Sequence, residues 1–162
     1  MEGLVQVENC YLCGCRDLVG VLDLGSQPLA NSLKKSPATY EAKYPLRLAL
    51  CSHCSLLQLD TNIDPEILFS NYVWTTGTSP STMGYCRSLA VRILALVEKS
   101  QPRVLEMASN DGTLLQEFQR LGASVLGVDP AVNIAKVANA AGVPTLPTFF
   151  GSATADRIVA VH

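Results

Sequence analysis

The sequence is poor in charge of either sign and has no basic surplus. Charged residues make up 16% of the 162 residues, and the formal net charge is −2. Residues 1–77 hold five basic and eight acidic side chains, and residues 78–162 hold seven basic and six acidic ones. Nucleic-acid binding usually shows a basic excess, so we expect no nucleic acid as a partner.

Long apolar segments are also missing. The first residues lack the basic n-region and the long apolar h-region that mark a signal peptide. The most apolar stretch, residues 89–97, is interrupted by Arg92 and is much shorter than the ~20 residues that a membrane-spanning helix needs. These absences predict a cytoplasmic protein with no membrane partner.

Two common nucleotide-binding motifs are absent. The chain has no Gly-x-Gly-x-x-Gly fingerprint, which disfavours NAD and FAD. It also has no Walker loop ending in Lys-Ser or Lys-Thr. Neither a dinucleotide nor a nucleoside triphosphate is therefore favoured as a ligand.

The sequence does contain two identical cysteine pairs. Cys10 and Cys13 form one Cys-x-x-Cys motif, and Cys51 and Cys54 form a second one. A two-residue gap lets both sulfur atoms turn towards one ion, and four thiolates complete the tetrahedral shell of a structural Zn²⁺ site. Because a filled shell leaves no place for water, we expect the metal to fold the module and not to catalyse.

Two neighbouring residues are alternatives to these ligands. Cys15 as a ligand would need an awkward Cys-x-Cys spacing, and His53 lies between two ligands and is expected to point outwards. A redox dithiol or a set of unrelated buried thiols would not explain two identical spacings. In a reducing compartment, disulfides are also disfavoured relative to metal ligands and buried thiols.

The composition divides the chain into three parts. Residues 1–72 are rich in Gly, Pro, Ser and Asn, with short apolar runs such as 18–24 and 46–50. They predict a zinc-binding module of short strands, which would need a metal to supplement its small core. Residues 73–101 predict a linker and a helix that Ser79 caps, with Pro80 at its first position and its end at residues 100–102.

Strands alternate with helices over residues 102–162. The pattern predicts strands at 104–108, 124–128 and 144–149, and helices at 113–121 and 132–141. Residues 157–161 could form a strand, but Ser152 as a cap and the apolar spacing after it favour a helix at 152–162. Such alternation is typical of βαβ units and a parallel sheet. The fold class expected for the chain is therefore α/β, with a Rossmann-like sheet after the zinc-binding module.

Acidic residues surround the turn that follows the first of these strands. Glu106 ends the strand, Asp111 and Gly112 lie in the turn, and Asp129 ends the second strand. A carboxylate at that last place accepts hydrogen bonds from ribose hydroxyls in nucleotide sites of this kind. Because carboxylates repel phosphates but suit a ribose and a positive charge, the pattern predicts S-adenosylmethionine.

A longer series of motifs resembles one enzyme family. In chain order these are Cys10-x-x-Cys13-Gly, Pro28-Leu-Ala-Asn31, Tyr44-Pro-Leu46, Cys51-x-x-Cys54-x-Leu-x-Gln58-Leu, Glu106-x-x-Ser-Asn-Asp-Gly-Thr-Leu-Leu115 and Gly127-Val-Asp-Pro-Ala131. Together they resemble the N-terminal part of the zinc-containing sugar C-methyltransferases. The resemblance implies a class I S-adenosylmethionine-dependent enzyme whose substrate is a nucleotide-linked 4-keto deoxysugar.

The resemblance also implies roles for single residues. Cys10, Cys13, Cys51 and Cys54 would hold the zinc, and Asp129 would bind the ribose diol. The other implied cofactor-binding residues are Glu106, Ala108, Ser109, Asn110, Asp111, Gly112, Thr113, Leu114, Pro130, Ala131 and Phe149. Tyr72 resembles a tyrosine of the family's Tyr-x-Tyr stretch and is the catalytic candidate, with a buried linker aromatic as the equal alternative.

The chain departs from the family pattern in three places. Ala108 stands where the family usually has Gly, and its methyl group would crowd the cofactor turn. Trp74 replaces the second tyrosine of the Tyr-x-Tyr stretch. Family members are also much longer, so we expect a truncated chain without the general base and the sugar-binding domain. The alternative function is a non-catalytic zinc-binding interaction module with a degenerate α/β domain.

Overall fold

The protein consists of two compact units, Met1–Leu68 and Phe69–His162. The computed structural model describes residues 3–161, and side chains as far as Ile158. The first unit contains the four-cysteine cluster and the second a parallel sheet of three strands. The predicted α/β fold class is confirmed.

The first unit is built from short antiparallel strands. Strand β1 (Leu4–Gln6) pairs with β5 (Thr61–Ile63), and a second sheet has the order β2 (Leu18–Pro28), β3 (Lys43–Cys51), β4 (Leu57–Leu59). A five-residue helix, α1 (Pro65–Phe69), follows β5. Strand β2 is longer than its apolar run predicts, because register shifts between Gly20 and Leu22 and between Asp23 and Ser26 let pairing with β3 continue.

Few side chains of the first unit are buried. In its described part the buried residues are Cys10, Ala49, Cys51, Gln58 and Thr61. The alternation along β3 turns Ala49 and Cys51 inwards, whereas Leu50 on the opposite face stays 37% exposed. The sulfur cluster is therefore a large part of what this unit packs around.

The second unit begins with a short 3₁₀ turn, Thr76–Thr78, and then alternates helices and strands. Its elements are α2 (Pro80–Leu94), β6 (Arg103–Met107), α3 (Thr113–Arg120), β7 (Ser124–Val128), α4 (Val132–Ala140), β8 (Thr145–Leu146) and α5 (Ser152–Val161). The three strands are parallel in the order β6-β7-β8. The predicted helical interpretation of the last segment is confirmed.

Helix α2 starts as predicted but ends early. The Ser79 hydroxyl accepts a hydrogen bond from the Thr82 N–H, and Pro80 is the first helical residue. The expected end at residues 100–102 is wrong, because the helix ends at Leu94. The N–H groups of Leu96 and Val97 bond carbonyls three residues back, and Leu96 is 83% exposed, so no packing prolongs the helix.

The core of the second unit lies between helices and sheet. Its buried residues are Ala90, Leu115, Phe118, Ala123, Ala138 and Val143. Four of them lie on α2, α3 and α4, whereas Ala123 and Val143 lie in the connections just before β7 and β8. This packing holds the carboxyl ends of β6 and β7 side by side.

The third strand is shorter than predicted. Strand β8 covers Thr145–Leu146 instead of residues 144–149. The Thr148 N–H, which would continue the ladder with β7, bonds back to the Leu146 carbonyl at 3.0 Å, so the chain turns and the ladder ends there. Among the described residues, no helix is long and apolar enough to cross a membrane.

Candidate functional site

The four predicted zinc ligands lie together in the first unit. Their sulfur atoms are all within 4.8 Å of one another. The Sγ atoms of Cys10 and Cys54 are 3.5 Å apart, and those of Cys13 and Cys51 are 3.6 Å apart. Zn–S bonds of about 2.3 Å place tetrahedral sulfurs about 3.8 Å apart, so the cluster fits one zinc ion, whereas a disulfide needs about 2.05 Å.

Both knuckles have the same backbone turn. The N–H of Gly14 bonds the Cys10 carbonyl, and the N–H of Ser55 bonds the Cys51 carbonyl, each at 2.9 Å. Both donors have left-handed backbone conformations, with φ of 71° at Gly14 and 63° at Ser55. Glycine adopts this conformation without strain but serine does not. The first knuckle therefore has glycine, the residue that favours this conformation, whereas the surrounding structure holds Ser55 in the same conformation in the second knuckle.

Backbone N–H groups favour the thiolate at the first cysteine of each knuckle. The N–H of Cys13, assisted by that of Leu12, lowers the pKa of Cys10 against the effect of burial. The N–H of Cys54, assisted by that of His53, lowers the pKa of Cys51 to about 6. Thiolates are the form that binds zinc, so each knuckle presents one sulfur prepared for the metal.

The second cysteines behave differently, and Cys15 stays outside the cluster. The N–H of Cys15 lowers the pKa of Cys13, but burial and the neighbouring sulfur atoms raise it to about 12. The Cys15 sulfur itself accepts a hydrogen bond from the Asp17 N–H at 3.4 Å, and its carbonyl accepts one from the Cys10 N–H at 2.8 Å. Its contribution to the cluster is thus made by its backbone.

Gln58 joins the first knuckle to strand β4. Its Oε1 accepts a hydrogen bond from the Tyr11 N–H at 3.0 Å, and its Nε2 donates to the Asn9 carbonyl at 3.2 Å. The side chain is 6% exposed, and the two residues that it holds flank Cys10. The sequence motif contained Gln58 but did not reveal this role, because its partners lie more than 45 residues earlier in the chain.

Replacing Gln58 should loosen the metal site. We expect Gln58→Ala to weaken zinc retention about ten-fold, because the loop that carries Cys10 loses both bonds that orient it. Competition with a chromophoric chelator measures this. Gln6→Ala is the matched control, since the Gln6 amide donates to the Asp60 carbonyl at an exposed position. Equal zinc affinity in both variants would show that the metal alone orients the knuckle.

In the second unit, the predicted cofactor turn lies at the carboxyl ends of the parallel strands. Residues 108–112 follow β6, and Asp129 follows β7. The Asp129 Oδ2 accepts a hydrogen bond from the Asn110 N–H at 2.8 Å, and Oδ1 accepts one from the Ala131 N–H at 2.9 Å. Each carboxylate oxygen has a second lone pair. The buried Asp129 side chain therefore organises the turn and keeps acceptor capacity for a ligand.

Glu106 is the least satisfied of the acidic residues here. Burial, together with Asp111 and Asp129, raises the pKa of Glu106 to about 7. In the part of the chain that the structure describes, its Oε2 and the Ser109 hydroxyl are buried without a hydrogen-bond partner. A buried polar atom of this kind needs a partner, and a cationic donor suits an acidic one best.

Asn110 and Asp111 direct their side chains to an earlier segment. The Asn110 Oδ1 accepts a hydrogen bond from the Thr76 N–H at 2.9 Å, and its Nδ2 donates to the Trp74 carbonyl at 3.2 Å. The Asp111 Oδ2 accepts one from the Gly77 N–H at 2.8 Å. The predictions for this turn did not include residues 74–77.

Other predicted residues lie around the same edge. The side chain of Asn133, near the start of α4, bonds both the N–H and the carbonyl of Tyr72, at 3.1 and 2.7 Å. The Tyr72 ring centroid lies 6.4 Å from that of Phe69. Phe149 is half-buried, and its carbonyl accepts a hydrogen bond from the Thr154 hydroxyl at 2.9 Å. The remaining predicted residues, Gly112, Thr113, Leu114 and Pro130, belong to the turn, the start of α3 and the loop after β7.

Comparisons with known proteins bear on both parts of the chain. Residues 10–69 match a family model described as "Putative zinc binding domain". The whole chain is 34% identical, over 168 residues, to the C-methyltransferase NovU from Streptomyces niveus. The chain is thus similar to a zinc-binding domain over residues 10–69 and, over its whole length, to a C-methyltransferase. The match covers 100% of this chain and 40% of that relative, so the chain spans less than half of the relative's length.

Ala108 adopts a backbone conformation that alanine disfavours. Its φ is 54°, in the left-handed region, and its side chain is exposed. We expect Ala108→Gly to raise the free energy of unfolding by about 1 kcal/mol, because glycine adopts this conformation without a Cβ penalty. Chemical denaturation measures this free energy. The control is Ala138→Gly, in the middle of α4, which should lower the free energy of unfolding by at least about 1 kcal/mol. A lower free energy of unfolding in both variants would show that the backbone at Ala108 is not strained.

Proposed function

We propose that the chain is the zinc- and cofactor-binding part of an S-adenosylmethionine-dependent C-methyltransferase whose substrate is a nucleotide-linked 4-keto deoxysugar. The main observation that supports the cofactor assignment is the group of three carboxylates, Glu106, Asp111 and Asp129, at the carboxyl edge of the parallel sheet. One of them has a buried oxygen without a partner. The resemblance of the motifs to sugar C-methyltransferases supports the substrate class.

The acidic residues fit the parts of this cofactor. When bound, S-adenosylmethionine supplies a methyl group on a positively charged sulfur. Glu106 would accept a hydrogen bond from the α-ammonium group, which favours its ionised form and lowers its raised pKa. Asp129 would accept hydrogen bonds from the ribose hydroxyls with the lone pairs that the backbone leaves free. Phosphate groups would be repelled by the same residues.

The zinc would have no direct part in the chemistry. Four cysteine thiolates fill a tetrahedral shell, so the ion has no position for water or substrate. Its function would be to hold the first unit folded. The methyl acceptor would be a carbon next to the sugar ketone, which would give up its proton to a base and take the methyl group that the bound cofactor would supply from its sulfur. Tyr72 remains the candidate for a residue that faces this step.

Calorimetric titration of S-adenosylhomocysteine into zinc-loaded protein tests the proposal. We expect micromolar binding and, in a parallel titration, no binding of NAD⁺, whose pyrophosphate meets three carboxylates and no glycine fingerprint. A folded, zinc-replete protein that binds neither ligand would refute the cofactor assignment and favour the zinc-binding interaction module. Binding of NAD⁺ in place of S-adenosylhomocysteine would refute the methyltransferase assignment itself.

The raised pKa of Glu106 predicts a pH-dependent contribution to stability. The folded protein binds this proton more tightly than the unfolded chain, so the contribution is present below pH 4.5 and is lost as pH rises to about 7. Relative to wild type, Glu106→Gln should therefore gain stability across this window, by roughly 1–2 kcal/mol after solvent screening. Urea denaturation at several pH values measures the difference. The exposed Glu98→Gln is the control, and equal behaviour of both variants would contradict the prediction.

A further inference from the structure

The segment Trp74–Thr78, called the strap below, lies against the cofactor turn. The hydrogen bonds that attach it to this turn lie within the second unit and join residues 34 to 36 positions apart. Asn110 makes three of them, since its Oδ1 also accepts from the Thr76 hydroxyl at 3.3 Å. Every polar atom of the Asn110 side chain is thereby bonded to the strap.

Asp111 completes the attachment from the next position. Its Oδ2 accepts from the Gly77 N–H, and its Oδ1 accepts from the Thr113 hydroxyl at 2.7 Å and the Thr113 N–H at 3.1 Å. One buried carboxylate thus joins the strap to the first turn of α3. Hydrogen bonds to a charged group are stronger than neutral ones, so this is the firmer of the two attachments.

Gly77 allows the close approach of the strap. A Cβ atom at this position would lie 2.8 Å from the Thr113 Oγ1 and 3.0 Å from the Asp111 Oδ2. Even alanine would therefore push the strap away from the carboxylate that holds it. The strap can therefore lie this close to the turn only because residue 77 is a glycine.

A chain of hydrogen bonds leads from the strap to the proposed ribose carboxylate. The Asn110 side chain holds the strap, and the Asn110 N–H bonds the Asp129 Oδ2. Asn110 has a left-handed backbone conformation with φ of 51°, which directs its N–H and side chain to these two partners. A ligand that bonds Asp129 must leave this geometry intact, so the strap and the ligand favour the same conformation of the turn.

We propose that Asn110 and Asp111 are positioning residues that clamp the strap onto the cofactor turn and so couple its order to cofactor binding. The proposal rests on the proposed function, because the ligand is S-adenosylmethionine or its product. Neither side chain needs to touch the ligand, since their polar atoms hold Trp74, Thr76 and Gly77. Trp74, the single tryptophan of the chain, reports on the strap by its fluorescence.

The test compares two glycine variants during titration with S-adenosylhomocysteine. We expect the ligand to change the Trp74 emission of the wild type. Gly77→Ala should bind about ten-fold more weakly, the loss of one to two hydrogen bonds, and should show an altered Trp74 emission without ligand. Gly84→Ala is the control, because a Cβ at this helical position meets nothing within 4 Å, and it should bind like the wild type.

The outcomes separate this proposal from the proposed function. If the wild type does not bind S-adenosylhomocysteine, the proposed function fails and the coupling fails with it. If the wild type binds and Gly77→Ala binds equally well with the same emission, only the coupling is overturned. Asp111→Asn and Asp111→Ala provide a second comparison: Asn retains an acceptor oxygen and should recover part of the affinity and emission that Ala loses, and equal behaviour of the two would also overturn the clamp.

Discussion

Removal of zinc should unfold the first unit. We expect a strong chelator to abolish its strand content and to concentrate proteolytic cleavage within residues 1–68. The reason is that five of its described residues are buried and two of these, Cys10 and Cys51, are sulfur ligands. Structural zinc contributes about 10–16 kcal/mol in small zinc modules, as much as the whole stability of an ordinary domain.

Single cysteine variants give this prediction its control. Cys51→Ser should lose nearly all bound zinc and unfold the first unit, because it removes a fully buried ligand with a lowered pKa. Cys15→Ser should retain zinc and fold normally, since the Cys15 sulfur lies outside the cluster and bonds only an exposed N–H in the described contacts. Metal analysis and circular dichroism measure both. Stoichiometric zinc and normal folding in Cys51→Ser would refute the four-thiolate site.

Loss of the Asp129 carboxylate should strongly reduce both the stability of the second unit and its affinity for the cofactor. We expect Asp129→Ala to lower the free energy of unfolding by about 2–4 kcal/mol, because the N–H groups of Asn110 and Ala131 lose their acceptor at a buried position. The same variant should bind S-adenosylhomocysteine at least about 100-fold more weakly. Two charge-assisted hydrogen bonds to the ribose would account for a loss of that size.

Two further variants separate folding from binding at this position. Asp129→Asn keeps one acceptor oxygen for the backbone, so it should fold better than Asp129→Ala while still losing most of the affinity. Asp156→Ala removes an exposed carboxylate on α5 and should change neither property. Calorimetric titration and chemical denaturation give both quantities. Unchanged affinity in Asp129→Asn would show that the ribose does not meet this carboxylate.

The sequence alone determined the local features of both units. Two identical Cys-x-x-Cys spacings identified the four sulfur atoms that lie together, because a knuckle is formed by consecutive residues. The apolar periodicity placed β7 at its observed residues, and Ser79-Pro80 located the start of α2. These are properties of short segments, in which backbone preferences and side-chain spacing act directly.

The errors occurred where local signals compete with packing. Helix α2 ends at Leu94 although Pro102 is the first strong breaker, because residues after Leu94 have no apolar surface to cover. Strand β8 ends at Leu146, because the Thr148 N–H bonds back to the Leu146 carbonyl and turns the chain away from β7. Strand β2 extends beyond its apolar run because its partner β3 offers a ladder to pair with.

Tertiary structure alone decided what the polar residues of the site bond to. The sequence grouped Asn110 and Asp111 with the cofactor turn by their spacing, but their side chains bond residues 74–77. Gln58 likewise holds a knuckle that begins almost 50 residues before it. Such contacts join segments that are distant in the chain, so no local pattern encodes them, and only the packing of helices on the sheet and of strands around the sulfur cluster brings the partners within hydrogen-bond distance.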